Sequence, residues 1–145
     1  MTEIPLVEHP ESVVVVALDA GELVAVRQTR PGARGKTLEL PSGKLEPGET
    51  PAQAAERELA EECGLRAEAW RPLGSFWVVP AYSTELTHVF EATGLSRAAP
   101  AELDEDEDVE AERLGVEEAW KRLSDGASLA ALALWRNLPS HGSPD

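Results

Sequence analysis

The chain has 145 residues, with 27 acidic against 13 basic side chains, a net charge of −14 and 42% hydrophobic content. One domain spanning 1–145 with its own core is expected from that length, and the acidity speaks against nucleic-acid polymers and anionic membranes as partners, because both require a basic surface. There is no apolar run of transmembrane length and no basic-then-apolar segment at the start, so a cytoplasmic protein is expected.

In chain order, the apolar run Val13–Leu18 reads as a buried strand. Asp19-Ala20-Gly21 makes a turn, and the alternation in Glu22–Gln28 gives a second strand. Pro31–Gly35 is a loop and Thr37–Leu40 a short strand. A helix is predicted from Thr50. Thr50 and Gln53 can form a capping box, Pro51 suits the first helical position, and Gly64 can end the helix in a left-handed conformation. At about 100° per residue, Ala52, Ala55, Leu59 and Cys63 make an apolar stripe, with Glu58, Glu61 and Glu62 on a neighbouring face. Cys63, the single cysteine, reads as a buried inert thiol and excludes an internal disulfide or a cysteine zinc site. Beyond the helix, Gly74–Val79 and Glu85–Thr93 read as strands, Ala98–Asp108 as an acidic loop and Val109–Leu114 as a last strand. Glu117–Leu123 is expected to be helical and to end at Asp125-Gly126. Ser128 is expected to cap a final helix running to about Leu138, with Leu129, Leu132 and Trp135 on one side. The tail Pro139–Asp145 reads as frayed. Strands interleaved with a few helices predict an α/β or α+β architecture.

The stretch Gly43–Leu65, GKLEPGETPAQAAERELAEECGL, carries the chemistry. Glu58 and Glu62 lie four apart, where like charges repel, so a helix holding both needs a reason. A solvated acidic face is the bland one. A hard divalent cation is the functional one: carboxylate oxygens suit Mg²⁺ or Mn²⁺, and Mg²⁺ is commonly shared with substrate phosphates. Gly43 and Gly48 permit a tight loop ahead of the helix. Arg57 is placed to pair with Glu49 or Glu61 and hold that loop on the helix. Upstream, Arg27, Arg30, Arg34, Lys36 and Lys44 offer phosphates a local basic rim on an acidic molecule.

At Gly43, Glu49, Arg57, Glu58, Leu59, Glu61, Glu62, Gly64 and Leu65 this stretch resembles the signature box of the Nudix hydrolases. VVVVALDAGELVAVRQTRP, LELPSGKLEPGE and SFWVVPAYSTELTHVFEATGL are similar to the ADP-ribose pyrophosphatase branch, as is a proline, Pro80, at its distance beyond Gly64. The likeness spans about residues 12–138. It implies the Nudix fold, a mixed β-sheet sandwiched between α-helices. It also implies a hydrolase using two or three Mg²⁺ ions, with Mn²⁺ as a substitute. The implied substrates are nucleoside diphosphate sugars, with ADP-ribose cleaved to AMP and ribose 5-phosphate. By this resemblance Glu58 and Glu62 are the main metal ligands, assisted by Glu61 and by the carbonyl of Ser42. Glu105 is the general base and Glu107 a further ligand, while Arg57 and Glu61 support catalysis. Gly43, Glu49 and Gly64 shape the box. Arg27, Gln28 and Arg30 stand where the branch places phosphate or ribose contacts. Glu85 stands where it carries a substrate-facing acid, although Thr84 and Ala81 replace the usual aspartate and glycine nearby.

Other readings remain open at this level. A Nudix hydrolase of modified nucleoside triphosphates is one, and a non-catalytic nucleotide-binding protein is another. Asp104–Asp108 begins like a calcium EF-hand loop, but Val109 stands where the sharp-turn glycine belongs. Phe76, Trp77 and Tyr82 can stack on a base, though strand aromatics are more often core. His9, His88 and His141 show no metal spacing. Many enzymes of the branch form homodimers through a swapped N-terminal sheet. Only about a dozen residues precede the first strand here, so that sheet is not expected and a homodimer is left open.

Overall fold

In the computed structural model, which describes residues 3–99 and 109–139, the first apolar run forms strand β1, Ser12–Asp19. There follow β2 (Glu22–Arg30), a 3-10 turn (Pro31–Ala33), β3 (Gly35–Glu39), β4 (Ser42–Lys44) and helix α1 (Pro51–Cys63). Then come β5 (Leu65–Trp77), β6 (Leu86–Arg97), β7 (Val109–Gly115), α2 (Val116–Arg122) and α3 (Gly126–Arg136). The strands make a mixed sheet of order β3-β2-β1-β6-β5, with β4 paired to β1 and β7 to β2. β1 runs parallel to β6, and the other strand pairings are antiparallel.

β1 is covered on both faces, and for that reason its sequence shows no alternation. Val13, Val15 and Ala17 belong to a cluster with Ala55 and Leu59 of α1. Val14 and Val16 belong to a second cluster with Ala119 of α2 and Leu132 of α3. Each fully buried Val or Leu contributes about 1.5–3 kcal/mol. The helices therefore lie on opposite faces of the sheet, the sandwich that the sequence predicts.

Four details differ from the sequence reading. β5 was expected over Gly74–Val79, yet it begins immediately after α1 and ends at Trp77. It is an edge strand whose first half exposes Arg66, Glu68 and Ala69, so the alternation that announces a strand is missing. Its proline, Pro72, sits at a register shift in the ladder with β6, where a missing N–H is tolerated. The sequence reads β4 as loop; it pairs with β1 through Gly43 opposite Val13. On α1, Ala52 is exposed and Ala54 is buried instead, and Glu58 is also buried. Finally, Asp125 rather than Ser128 caps α3, accepting a hydrogen bond from the Ser128 amide at 3.0 Å. The Ser128 hydroxyl accepts instead from the Leu40 amide at 2.9 Å, which ties α3 to the end of β3. Among the described residues no helix is long and apolar enough to cross a membrane.

Candidate active site

α1 is fixed in phase by its ends. The Gln53 amide donates to Thr50 Oγ1 at 3.2 Å, the Thr50 amide donates to Gln53 Oε1 at 3.0 Å, and Gly64 closes the helix at φ 67°. Arg57 then ties helix to loop. Its Nε and Nη2 donate to the two oxygens of Glu49 at 2.8 and 3.0 Å, a bidentate pair. Nη2 also reaches the Lys44 carbonyl at 2.9 Å, and Nη1 reaches Glu58 at 2.7 Å and Glu61 at 3.1 Å. The hydrogen bond to Glu49, and after it the one to Glu58, holds the guanidinium above its ordinary range despite burial. The same bond from Arg57 holds the Glu49 carboxyl below the usual carboxylate range.

β4 presses on the helix from the other side. The Ser42 amide donates to Glu62 Oε1 at 2.8 Å. Gly43 lies against the Glu58 carboxylate so closely that a Cβ there would overlap it. Glycine is needed at this point for close approach rather than for its backbone angle.

Ser42, Glu58, Glu61 and Glu62 open onto one cleft of about 930 Å³. Of the other sequence candidates, Gln28, Arg30 and Glu85 also line it. Glu85 accepts from the Ser12 hydroxyl at 2.7 Å and lies 3.7 Å from His9 Nδ1. Arg27 is not brought there; it faces Glu112 of β7 at 3.6 Å. Of the predicted basic rim only Arg30 and Lys44 border the cleft, joined by Arg57. Glu105 and Glu107 lie outside the described residues. Cys63 packs against the α1-side cluster, where burial pushes its thiol up, away from nucleophilic use.

Sequence reasoning missed three cleft residues. His9 lines the cleft, its amide donating to Thr84 Oγ1 at 2.8 Å. Glu39 accepts from Arg30 Nε at 2.8 Å and Nη2 at 3.0 Å, and from Thr37 at 2.5 Å. Burial alone would raise the Glu39 carboxyl; the bonds from Arg30 and Thr37 outweigh it and hold it low. Asp125 is carried into the cleft by the docking of α3, and burial raises its carboxyl despite the bond from Ser128.

No group of three His, Cys, Asp or Glu placed to enclose a metal occurs among the described residues. The donor set nevertheless fits a hard cation. It is all oxygen, and Mg²⁺ commonly keeps several waters and takes only one or two protein carboxylates together with substrate phosphate. The missing Cβ at Gly43 leaves the Glu58 carboxylate its place beside β4.

The NUDIX domain family model matches residues 8–135. An ADP-ribose pyrophosphatase of Bacillus subtilis (strain 168) is 41% identical over 118 residues, 80% of this chain and 64% of that protein. An ADP-ribose pyrophosphatase of Mycobacterium tuberculosis (strain ATCC 25618 / H37Rv) is 34% identical over 139 residues, 94% of this chain and 67% of that one. The chain thus spans about two thirds of the length of these relatives. A solved structure described as an ADP compounds hydrolase superposes with a TM-score of 0.79 at 26% identity, covering 87% of this chain and 70% of its own.

Proposed function

Because the chain belongs to the NUDIX domain family, we propose that it hydrolyses the diphosphate linkage of nucleoside diphosphate sugars, ADP-ribose to AMP and ribose 5-phosphate first among them. The observation that carries this reading is the convergence of Glu58, Glu61 and Glu62 on one cleft, with Arg57 fixing the loop above them. A binding-only protein has no need to hold three like-charged carboxylates together. The substrate class is supported by the relatives' names, which are those of ADP-ribose pyrophosphatases, and by the position of Pro80.

Glu58 and Glu62, with the Ser42 carbonyl, would hold Mg²⁺, and Glu61 would assist; two or three ions in all suit the chemistry. Bound there, the metal would neutralise phosphate charge and activate water. The chain's own residues do the rest. The buried Glu58 and the clamp through Arg57 and Glu49 pre-position the site, so that little reorganisation is left to the reaction. Water forms a bond to one phosphorus, the bridging P–O bond breaks, and the departing phosphate leaves with the bridging oxygen. Glu105 is assigned the proton that the water loses, and Glu107 a further metal ligand. Gln28, Arg30 and Glu85 line the part of the cleft left to the substrate.

The test is turnover of ADP-ribose with and without chelator, by the parent chain and by Glu62→Gln. Chelator is expected to abolish activity and Mg²⁺ or Mn²⁺ to restore it. Glu62→Gln is expected to lower kcat by at least about 10²-fold with the fold intact. Full turnover in metal-free buffer would overturn the proposal.

A further inference from the structure

Glu39 is out of place on electrostatic grounds. It is a carboxylate only 5% exposed, in a cleft read as taking phosphates. Taking a carboxylate out of water costs more than its ion pair generally returns in stability. Pinning β2 to β3 does not account for it, because the ladder already pairs these strands from Val26–Glu39 to Arg30–Gly35.

The geometry of its bonds does account for it. Arg30 stands opposite Gly35 and Glu39 opposite Val26, so their side chains share a face and meet only by leaning toward each other along the strands. Arg30 Nε and Nη2 donate to the two carboxylate oxygens, and the Thr37 hydroxyl donates to the oxygen that Nε uses. One edge of the guanidinium is thereby fixed. Of its five N–H groups three remain, both on Nη1 and one on Nη2, and they form the outer fork. Among the described residues nothing takes Nη1, and the Arg30 side chain is still 45% exposed. The bond to Glu39 holds the guanidinium above its ordinary range despite burial, and the charges of Glu62 and Asp125 add to the effect. Arg30 therefore lies within electrostatic reach of Glu62, a carboxylate assigned to the metal. A fork held at one edge and open at the other suits two phosphate oxygens. Unheld, a long side chain at a strand end spreads over many rotamers, and ordering it on binding costs affinity.

We propose that Glu39 is a positioning residue for phosphate recognition: braced by Thr37, it holds one edge of Arg30 and presents the other, Nη1 and Nη2, to the diphosphate of the substrate. This rests on the proposed function for the identity of the ligand. Glu39 itself touches no substrate, and its charge alone would repel a diphosphate. It acts through Arg30.

The experiment is calorimetric binding, with Mg²⁺, of α,β-methylene ADP-ribose, which lacks the cleavable bridging oxygen. The proteins are the parent chain, Glu39→Gln, Arg30→Ala and the double variant, each checked by thermal unfolding and by turnover of ADP-ribose. Glu39→Gln keeps the side chain's size and an oxygen for Thr37, but it cannot accept both N–H groups of the fork. It is expected to weaken binding by about 10- to 100-fold, the worth of a hydrogen bond to a charged group. Arg30→Ala is expected to weaken it at least as much. On top of Arg30→Ala, Glu39→Gln is expected to weaken binding no further and to raise Tm, since it removes the charge of a buried carboxylate left without its cation. A merely structural Glu39 would weaken binding alike in both backgrounds. If Arg30→Ala does not fold, Arg30→Lys, which keeps a cation beside Glu39 without a fork, takes its place with the same expectation for binding. Parent-like binding by Glu39→Gln, equal losses in both backgrounds, or no binding of the analogue by the parent chain would overturn the proposal. Glu39-dependent binding without hydrolysis of ADP-ribose by the parent chain would support the positioning role and overturn the proposed activity alone.

Discussion

Replacing Arg57 is expected to loosen the loop from the helix and to do so in a pH-dependent way. Its guanidinium is 20% exposed and joins Glu49, Glu58, Glu61 and the Lys44 carbonyl. Arg57→Ala leaves two largely buried carboxylates, Glu49 and Glu58, without their shared cation. Removing one partner of such a pair costs about 3 kcal/mol at the low end of the range, which partial exposure favours. At roughly 2–4 °C per kcal/mol for a chain of this size, Tm should fall by about 6–12 °C near neutral pH. Arg57→Lys should lose about half as much, because a single ammonium cannot span the Glu49 fork and reach Glu58 as well. The sign with pH follows from Glu49, whose carboxyl the Arg57 bond holds below its ordinary range. Its contribution is complete above that ordinary range and is lost as pH falls through the lowered folded value. The gap in Tm between parent and Arg57→Ala, followed by circular dichroism, should therefore be widest near neutrality and close on acidification. A gap under about 2 °C at neutral pH, or one of constant size down to about pH 3, would refute this reasoning.

Two further outcomes follow from the same geometry. Gly43→Ala should lower activity on ADP-ribose by about tenfold or more while costing only about 1–3 kcal/mol of stability, because the added Cβ displaces the Glu58 carboxylate rather than backbone; parent-like turnover in steady-state kinetics would show that Glu58 is not needed where it lies. Glu105→Gln should depress kcat more than it raises KM, since a general base acts in the transition state; normal kcat in that variant together with a loss in Glu107→Gln would move the base by two residues.

The box was legible because its chemistry fixes residue types at fixed spacings, and its caps are local. Thr50, Gln53 and Gly64 act within one helical turn of where they stand. The pairing of Arg57 with Glu49 and Glu61 could be read for the same reason. Glu39, Asp125 and His9 were not legible as cleft residues, because they reach the cleft through tertiary docking of segments distant in sequence. Their local surroundings carry only the signatures of a strand, a helix cap and a loop. Asp125 was seen as a helix terminator, and its place in the cleft becomes visible only once α3 is seated by the Leu40–Ser128 bond. Arg27 was a different kind of miss. Strand side chains alternate with period two, so Gln28 and Arg30 share one face of β2 and Arg27 takes the other. That signal was present in the sequence and argues against grouping the three. β5 was mislocated because its first half is an exposed edge without an apolar pattern.

The most direct measurement of the central claim is steady-state kcat/KM with Mg²⁺ on ADP-ribose, other nucleoside diphosphate sugars and deoxynucleoside triphosphates, with the products separated and identified. The account predicts that ADP-ribose stands among the best substrates and yields AMP and ribose 5-phosphate in equal amounts. A clear preference for a triphosphate, or cleavage of ADP-ribose without AMP among the products, would contradict it.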